Sequence, residues 1–179
     1  MYKPIVIATG VIIALGTTSA AVAAAKLKDP QIAHIVVTAD DLDIANAKLA
    51  LQKSKNAEVQ RFANRMIADH GSVTDQAVAL AKKLKITPED NPTSKSLKDA
   101  QDANLTKLDA LSGAAFDNAY ADNEAAYHKV VDNALSNTLI PDAQNAELKS
   151  LLESGLKIFQ DHQRDAENIA KQLKAAPQG

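Results

Sequence analysis

Three of the four histidines in this chain fall where a helical core should be apolar. His70 follows Met66 by four residues and precedes Val73 by three. His128 follows Tyr120 by eight and precedes Val131 by three. His162 follows Phe159 by three and precedes Ile169 by seven. At 3.6 residues per turn, each spacing keeps the imidazole in register with the apolar face of its segment. His34 lies half a turn from that face and is expected in solvent. Inward imidazoles from three segments form the donor set of a transition-metal site, and the cofactor so implied is iron, manganese, zinc or copper. Asp43, Asp117, Tyr120 and Glu124 share inward faces with them and complete the candidate ligand set. Asp69 adjoins His70 in sequence, but its side chain is turned about 100° away.

Heights along helices that rise about 1.5 Å per residue sort these groups. With turns near Lys55 and near Leu139 or Ile140, Asp43, His70, His128 and Glu124 are expected in one layer. Asp117, Tyr120 and His162 are expected in another, some 15 Å away. A second use fits the same residues. A buried histidine that donates to a carboxylate or tyrosine pins the register of a bundle. Under that use His70→Leu should be tolerated or even stabilising. The repeated Glu-x-x-His of carboxylate-bridged di-iron bundles is absent. So are a Gly-rich phosphate loop and a G-x-S-x-G turn.

The elements that must hold these groups are helices. Gln31–Ser54 carries an apolar stripe from Ile32 to Leu51 and breaks at Lys55-Asn56. A longer stripe runs from Val59 to Leu84 and stops before Pro88. The turn-rich stretch 87–93 leads to a shorter helix capped by Ser94 or Ser96, which ends at Ser112-Gly113. A third long helix is expected over 114–137, a connector over 137–141, and a last helix capped by Asp142 with its stripe from Leu148 to Leu173. No segment alternates as a strand would. The fold class is therefore all-α: a ferritin-like four-helix bundle with a short extra helix in the long connection between helices two and three.

Composition limits the rest. The chain has 179 residues, no cysteine, 3% aromatics and a net charge of −2. Disulfides, thiolate chemistry and Cys-zinc sites are thereby removed, and a nucleic-acid partner is not expected. Residues 1–25 pass from Lys3 through an apolar run to small residues ending at Ala23 and Ala25, the order of a secretory signal peptide. The mature domain is then 26–179, with its core over about 30–173. It is expected to be exported, most simply to the periplasm, without a transmembrane segment once the leader is removed. Protein partners and a homo-oligomer stay open.

The run Arg65-Met-Ile-Ala-Asp-His70, the run Ala115-Phe-Asp-Asn-Ala-Tyr120 followed by His128, and the pair Asp161-His162 together resemble a bacterial family of exported proteins. That family carries the label domain of unknown function 4142 and is often called predicted outer membrane proteins. The resemblance implies a ferritin-like bundle with inward residues at His70, Phe116, Asp117, Tyr120, His128 and His162. It also implies a helix-one carboxylate, usually Glu, at Asp43. It implies no established activity. The absence of tilted, alternating ten-residue strands argues against a membrane barrel and for the periplasm. Three functions remain open: a non-enzymatic metal-binding or stress-related binding protein, a structural or interaction module, and a metal-dependent oxidoreductase.

Overall fold

The computed structural model describes residues 26–175; the expected leader at 1–25 lies outside the described residues. The chain forms α1 (Asp29–Lys53), α2 (Ala57–Leu84), α3 (Pro92–Asp109) and α4 (Gly113–Ala134). A π-helical turn (Leu135–Leu139), α5 (Ile140–Asp142) and α6 (Ala146–Ala175) follow. There is no strand among the described residues.

Local chemistry sets most of the boundaries. Asn56 caps α2 by accepting from the amides of Glu58 and Val59, satisfying donors that a helix start leaves without partners. α2 ends at Lys85, whose left-handed φ of 56° lets its amide turn back to Ala81 and Lys82. Asn91, rather than Ser94 or Ser96, caps α3, because Pro92 suits the first helical position, where no amide donor is needed. The Ser94 hydroxyl instead accepts from the Asn91 amide and completes the cap.

The connection after α4 differs most from expectation. The helix does not yield to a connector over 137–141; it continues through the π turn and α5. Pro141 has no amide to return to the preceding turn, and the wider π turn just before it absorbs that irregularity. Leu135 and Leu139 are buried there and hold the segment in the core. The true connector is Ala143–Asn145, and Asn145, not Asp142, caps α6 by accepting from Glu147 and Leu148. Asp142 accepts from the Leu27 amide at 2.9 Å.

α1 and α2 form one antiparallel hairpin, α4 and α6 another, and α2 packs across α6. α3 provides the long crossover. Its start is tied to the start of α1 by Asn91 donating to the Gln31 carbonyl, and its end to the end of α1 by Lys53 and Asp109. It therefore returns the chain along α1 before α4 begins. Apolar side chains gather in two clusters. One, at the end where α1 meets α2, includes Ala47, Phe62, Met66, Ala121 and Ala166. The other, at the opposite end, includes Val36, Val73, Leu135 and Phe159. On the four bundle helices Asp43, His70, Glu124, His128 and His162 fall in the interval between them, 36–47, 66–73, 121–135 and 159–166, whereas Asp117 and Tyr120 fall outside it. The bundle is thus apolar at both ends and polar in the middle. No helix among the described residues is long and apolar enough to cross a membrane.

Candidate metal centre

α1 presents Asp40, Asp43 and Asn46 at three-residue intervals, so all three face inward; each is no more than 2% exposed. α2 contributes His70, α4 contributes Glu124 and His128 one turn apart, and α6 contributes His162. Each of these four is at most 1% exposed.

The three histidines form one cluster, with a ring nitrogen of each within 4.8 Å of the others. Ring centroids are 5.6 Å apart for His70 and His128, 5.2 Å for His70 and His162, and 5.4 Å for His128 and His162. This corrects the expectation that His162 lies in a separate layer with Asp117 and Tyr120. The error came from the connector. With the turn centred on Gln144, His128 is 16 residues before it and His162 is 18 after it. The heights then differ by only about 3 Å.

Each ring has one nitrogen committed and one free. His70 Nδ1 meets Asp40 Oδ1 at 2.8 Å. His128 Nδ1 meets the Glu124 carbonyl oxygen at 3.0 Å. His162 Nε2 meets Asp69 Oδ2 at 2.8 Å. A carbonyl or carboxylate can only accept, so these contacts assign the ring proton to that nitrogen. His70 Nε2, His128 Nε2 and His162 Nδ1 have no hydrogen-bond partner. Burial, reinforced by the neighbouring imidazoles, lowers His128 to about 3. Burial also dominates at His162, which falls to about 4 despite the opposing bond from Asp69. Both rings are therefore neutral and able to donate a lone pair at any ordinary pH.

A second cluster shares His128. Asp43, Glu124 and His128 each offer an atom within 4.8 Å of the others. Glu124 Oε1 accepts from Asn46 and Asn123, each at 3.2 Å. Asn46 is held in turn by Gln101, which donates to it at 2.8 Å. The opposite oxygen, Glu124 Oε2, and Asp43 Oδ1 have no partner. Burial raises Glu124 to about 7 against the opposing pull of Asp43, Asn123 and Asn46. Burial and then the Glu124 charge push Asp43 well above the usual carboxylate range. Two buried carboxylates this close favour a shared proton or a cation between them.

Asp117 and Tyr120 do not join either group. Tyr120 stacks on Phe116 with centroids 6.1 Å apart and meets Phe62 edge-on, within the apolar cluster. Its buried hydroxyl has no partner. Burial, with the charges of Glu124 and Asp43, raises its pKa well above the ordinary phenol value. Asp117 is buried one further turn along α4. His34 is half-buried, 3.8 Å from Asp90, rather than exposed.

Two orienting residues escaped the sequence reading. Asp40 lies one turn before Asp43, and its i, i+3 spacing was the available signal. Asp69 is turned away from the bundle axis as its offset from His70 required, but the flank of α2 faces α6. There it receives His162 and, at 3.2 Å, Arg65 Nε. Burial raises Asp69, yet these two bonds prevail and lower it overall. Phe159 stacks on His70, with centroids 4.7 Å apart and planes within 8°, and closes one side of the cluster.

The model of the family described as domain of unknown function (DUF4142) matches residues 14–169. No curated protein and no solved structure matches the chain.

Proposed function

The chain belongs to the DUF4142 family, and we propose that it is a binding protein for one or two transition-metal ions held in the polar middle of the bundle. One observation carries this reading. Three buried imidazoles from three helices each have one nitrogen fixed by an acceptor and the other left without a partner, and they converge within 4.8 Å. Metal-bound histidine characteristically donates its second nitrogen to a carboxylate or carbonyl, which fixes the tautomer and raises ligand basicity. All three rings already have that arrangement. Asp43 and Glu124 supply hard oxygen donors beside the nitrogens, a mixed set suited to iron, manganese, zinc or copper. We also propose that the protein works outside the cytoplasm, on the basis of the leader-like order of residues 1–25.

The test is titration of untagged, chelator-stripped protein with zinc, manganese, ferrous and cupric ions. A variant with His70, His128 and His162 all changed to alanine is titrated alongside, and circular dichroism confirms that both are folded. About one or two ions per chain, retained on dialysis and lost in the variant, is the expected outcome. A folded wild type that takes none of the four ions overturns the reading and leaves the histidines as pins between helices.

A further inference from the structure

Beside the His70–Asp43 edge of the centre lies a small cavity between α1 and α4, of about 40 Å³. A single water occupies about 30 Å³ in the liquid, and pockets for organic ligands run to roughly 300 Å³ or more. The cavity therefore has room for one diatomic molecule and none for a metabolite. Its lining is apolar apart from Asp40, Asp43 and His70. Val131, Leu135, Leu139 and Phe159 form its walls, two of them on the π turn, and the exposed Ala134 stands at its rim. His128 and His162 do not line it, so it meets the donor cluster from one side only.

We propose that this cavity binds a small, uncharged, apolar diatomic molecule of the nitric oxide or dioxygen class and delivers it to the metal at the His70–Asp43 edge. The ligand class follows from the lining. No cationic side chain lines the cavity, and two carboxyl groups do, so an anion would lose its hydration and find no counter-charge in a low-dielectric setting. The aliphatic and aromatic walls provide no hydrogen bonds, and the unpaired His70 and Asp43 atoms at the polar edge are those a bound ion would take. With the ion in place, a polar neutral molecule would lose its hydration without replacement. An apolar molecule incurs neither penalty. His70 Nε2 and Asp43 Oδ1, both without partners, lie where such a molecule would first reach a bound ion.

The delivery part rests on the metal reading above, whereas the cavity part does not, and the experiment separates them. Xenon, which enters dry apolar cavities, is applied under pressure to crystals of the metal-free protein. One atom bounded by Val131, Leu135 and Phe159 is expected. The ferrous protein is then mixed with nitric oxide, and adduct formation is followed optically in wild type and Ala134→Phe. Because Ala134 is exposed and is not itself one of the candidate ligands, the variant should bind iron as the wild type does. Its adduct should form at least tenfold more slowly. Exclusion of xenon, or an unchanged rate in the variant, overturns the proposal. A chain that admits xenon but binds no ferrous ion overturns the metal reading, and the delivery role falls with it.

Discussion

Zinc binding should release protons from the carboxylates and not from His128 or His162. The two histidines with resolved shifts lie at about 3 and about 4, so their lone pairs are free throughout the range of an ordinary titration. Glu124 lies at about 7, and Asp43 lies well above its usual range beside it. At pH 6 a group with a pKa of 7 is about nine-tenths protonated, and at pH 8 about one-tenth. The pair titrates jointly, and the share of displaced protons that comes from Glu124 should fall from about one at pH 6 to about a tenth of one at pH 8. Glu124 alone then weakens apparent affinity about tenfold on going from pH 8 to pH 6, or about 1.4 kcal/mol. Three solvent-like imidazoles would behave differently, each costing about thirtyfold at pH 5 and releasing nearly three protons together. Calorimetry in buffers of different ionisation enthalpy counts the protons directly. Glu124→Gln should lower the count at pH 6 by about one. Near three protons at pH 5, unchanged in that variant, would refute the reasoning.

Other consequences concern the metal-free protein and the residues behind the ligands. Glu124 has its pKa raised on folding, so its contribution to stability is greatest below about pH 4.5 and is lost as the pH rises through about 7. Metal-free Glu124→Gln should therefore match wild type near pH 4.5 and exceed it at pH 8, by at most about 3 kcal/mol, as read from urea midpoints at the two pH values. Asp69→Ala frees His162 to turn or change tautomer and should weaken zinc binding about 10- to 100-fold. Asp69 is itself 34% exposed on its side chain, so the stability loss should not exceed the cost of leaving one buried His162 nitrogen unpaired, about 1–3 kcal/mol. A larger fall in stability, with zinc binding intact in the folded fraction, would argue that Asp69 merely holds the fold. Gly71 lies inside α2 with nothing within 4 Å of an added Cβ. Gly71→Ala should stabilise by about 0.5–1 kcal/mol in the same unfolding assay, and destabilisation would show that the α2 backbone needs glycine beside His70.

The fold was largely legible because α1, α2 and α6 carry long apolar stripes flanked by breaks, and such stripes leave few alternatives. The end of α4 was not. Asn137 and Pro141 read locally as breakers, whereas the burial of Leu135 and Leu139 keeps the segment helical through a π turn. That few-residue error propagated along two rigid helices and separated His162 from the histidines it adjoins. The inward direction of His70, His128, His162, Asp43 and Glu124 could be read from spacing alone, because direction depends only on local periodicity. Which of them meet depends on where the chain turns. Asp69 was set aside because a single-face picture treats the flank of a helix as solvent, although a bundle helix touches two neighbours.

Pinning and metal ligation make opposite demands on the polar layer. A pin needs one bond per ring, and three such bonds are present: Asp40 to His70, the Glu124 carbonyl to His128, and Asp69 to His162. Pinning does not account for the three other ring nitrogens, all buried without a protein partner. Each buried polar atom left so costs about 1–3 kcal/mol, and the sum rivals the 5–15 kcal/mol by which a domain is stable at all. His70→Leu by itself should not be benign, contrary to the expectation from sequence. It would strand Asp40, which is 1% exposed, and breaking a buried pair costs about 3–5 kcal/mol. Replacing both partners removes that penalty. Asp40→Leu/His70→Leu, measured by urea unfolding in chelator, should be as stable as wild type or more so, while its zinc affinity collapses. The polar layer would then be shown to cost the fold stability and to serve binding. A double variant several kcal/mol less stable than wild type, with zinc binding intact in whatever remains folded, would mean that the pair is there for the bundle.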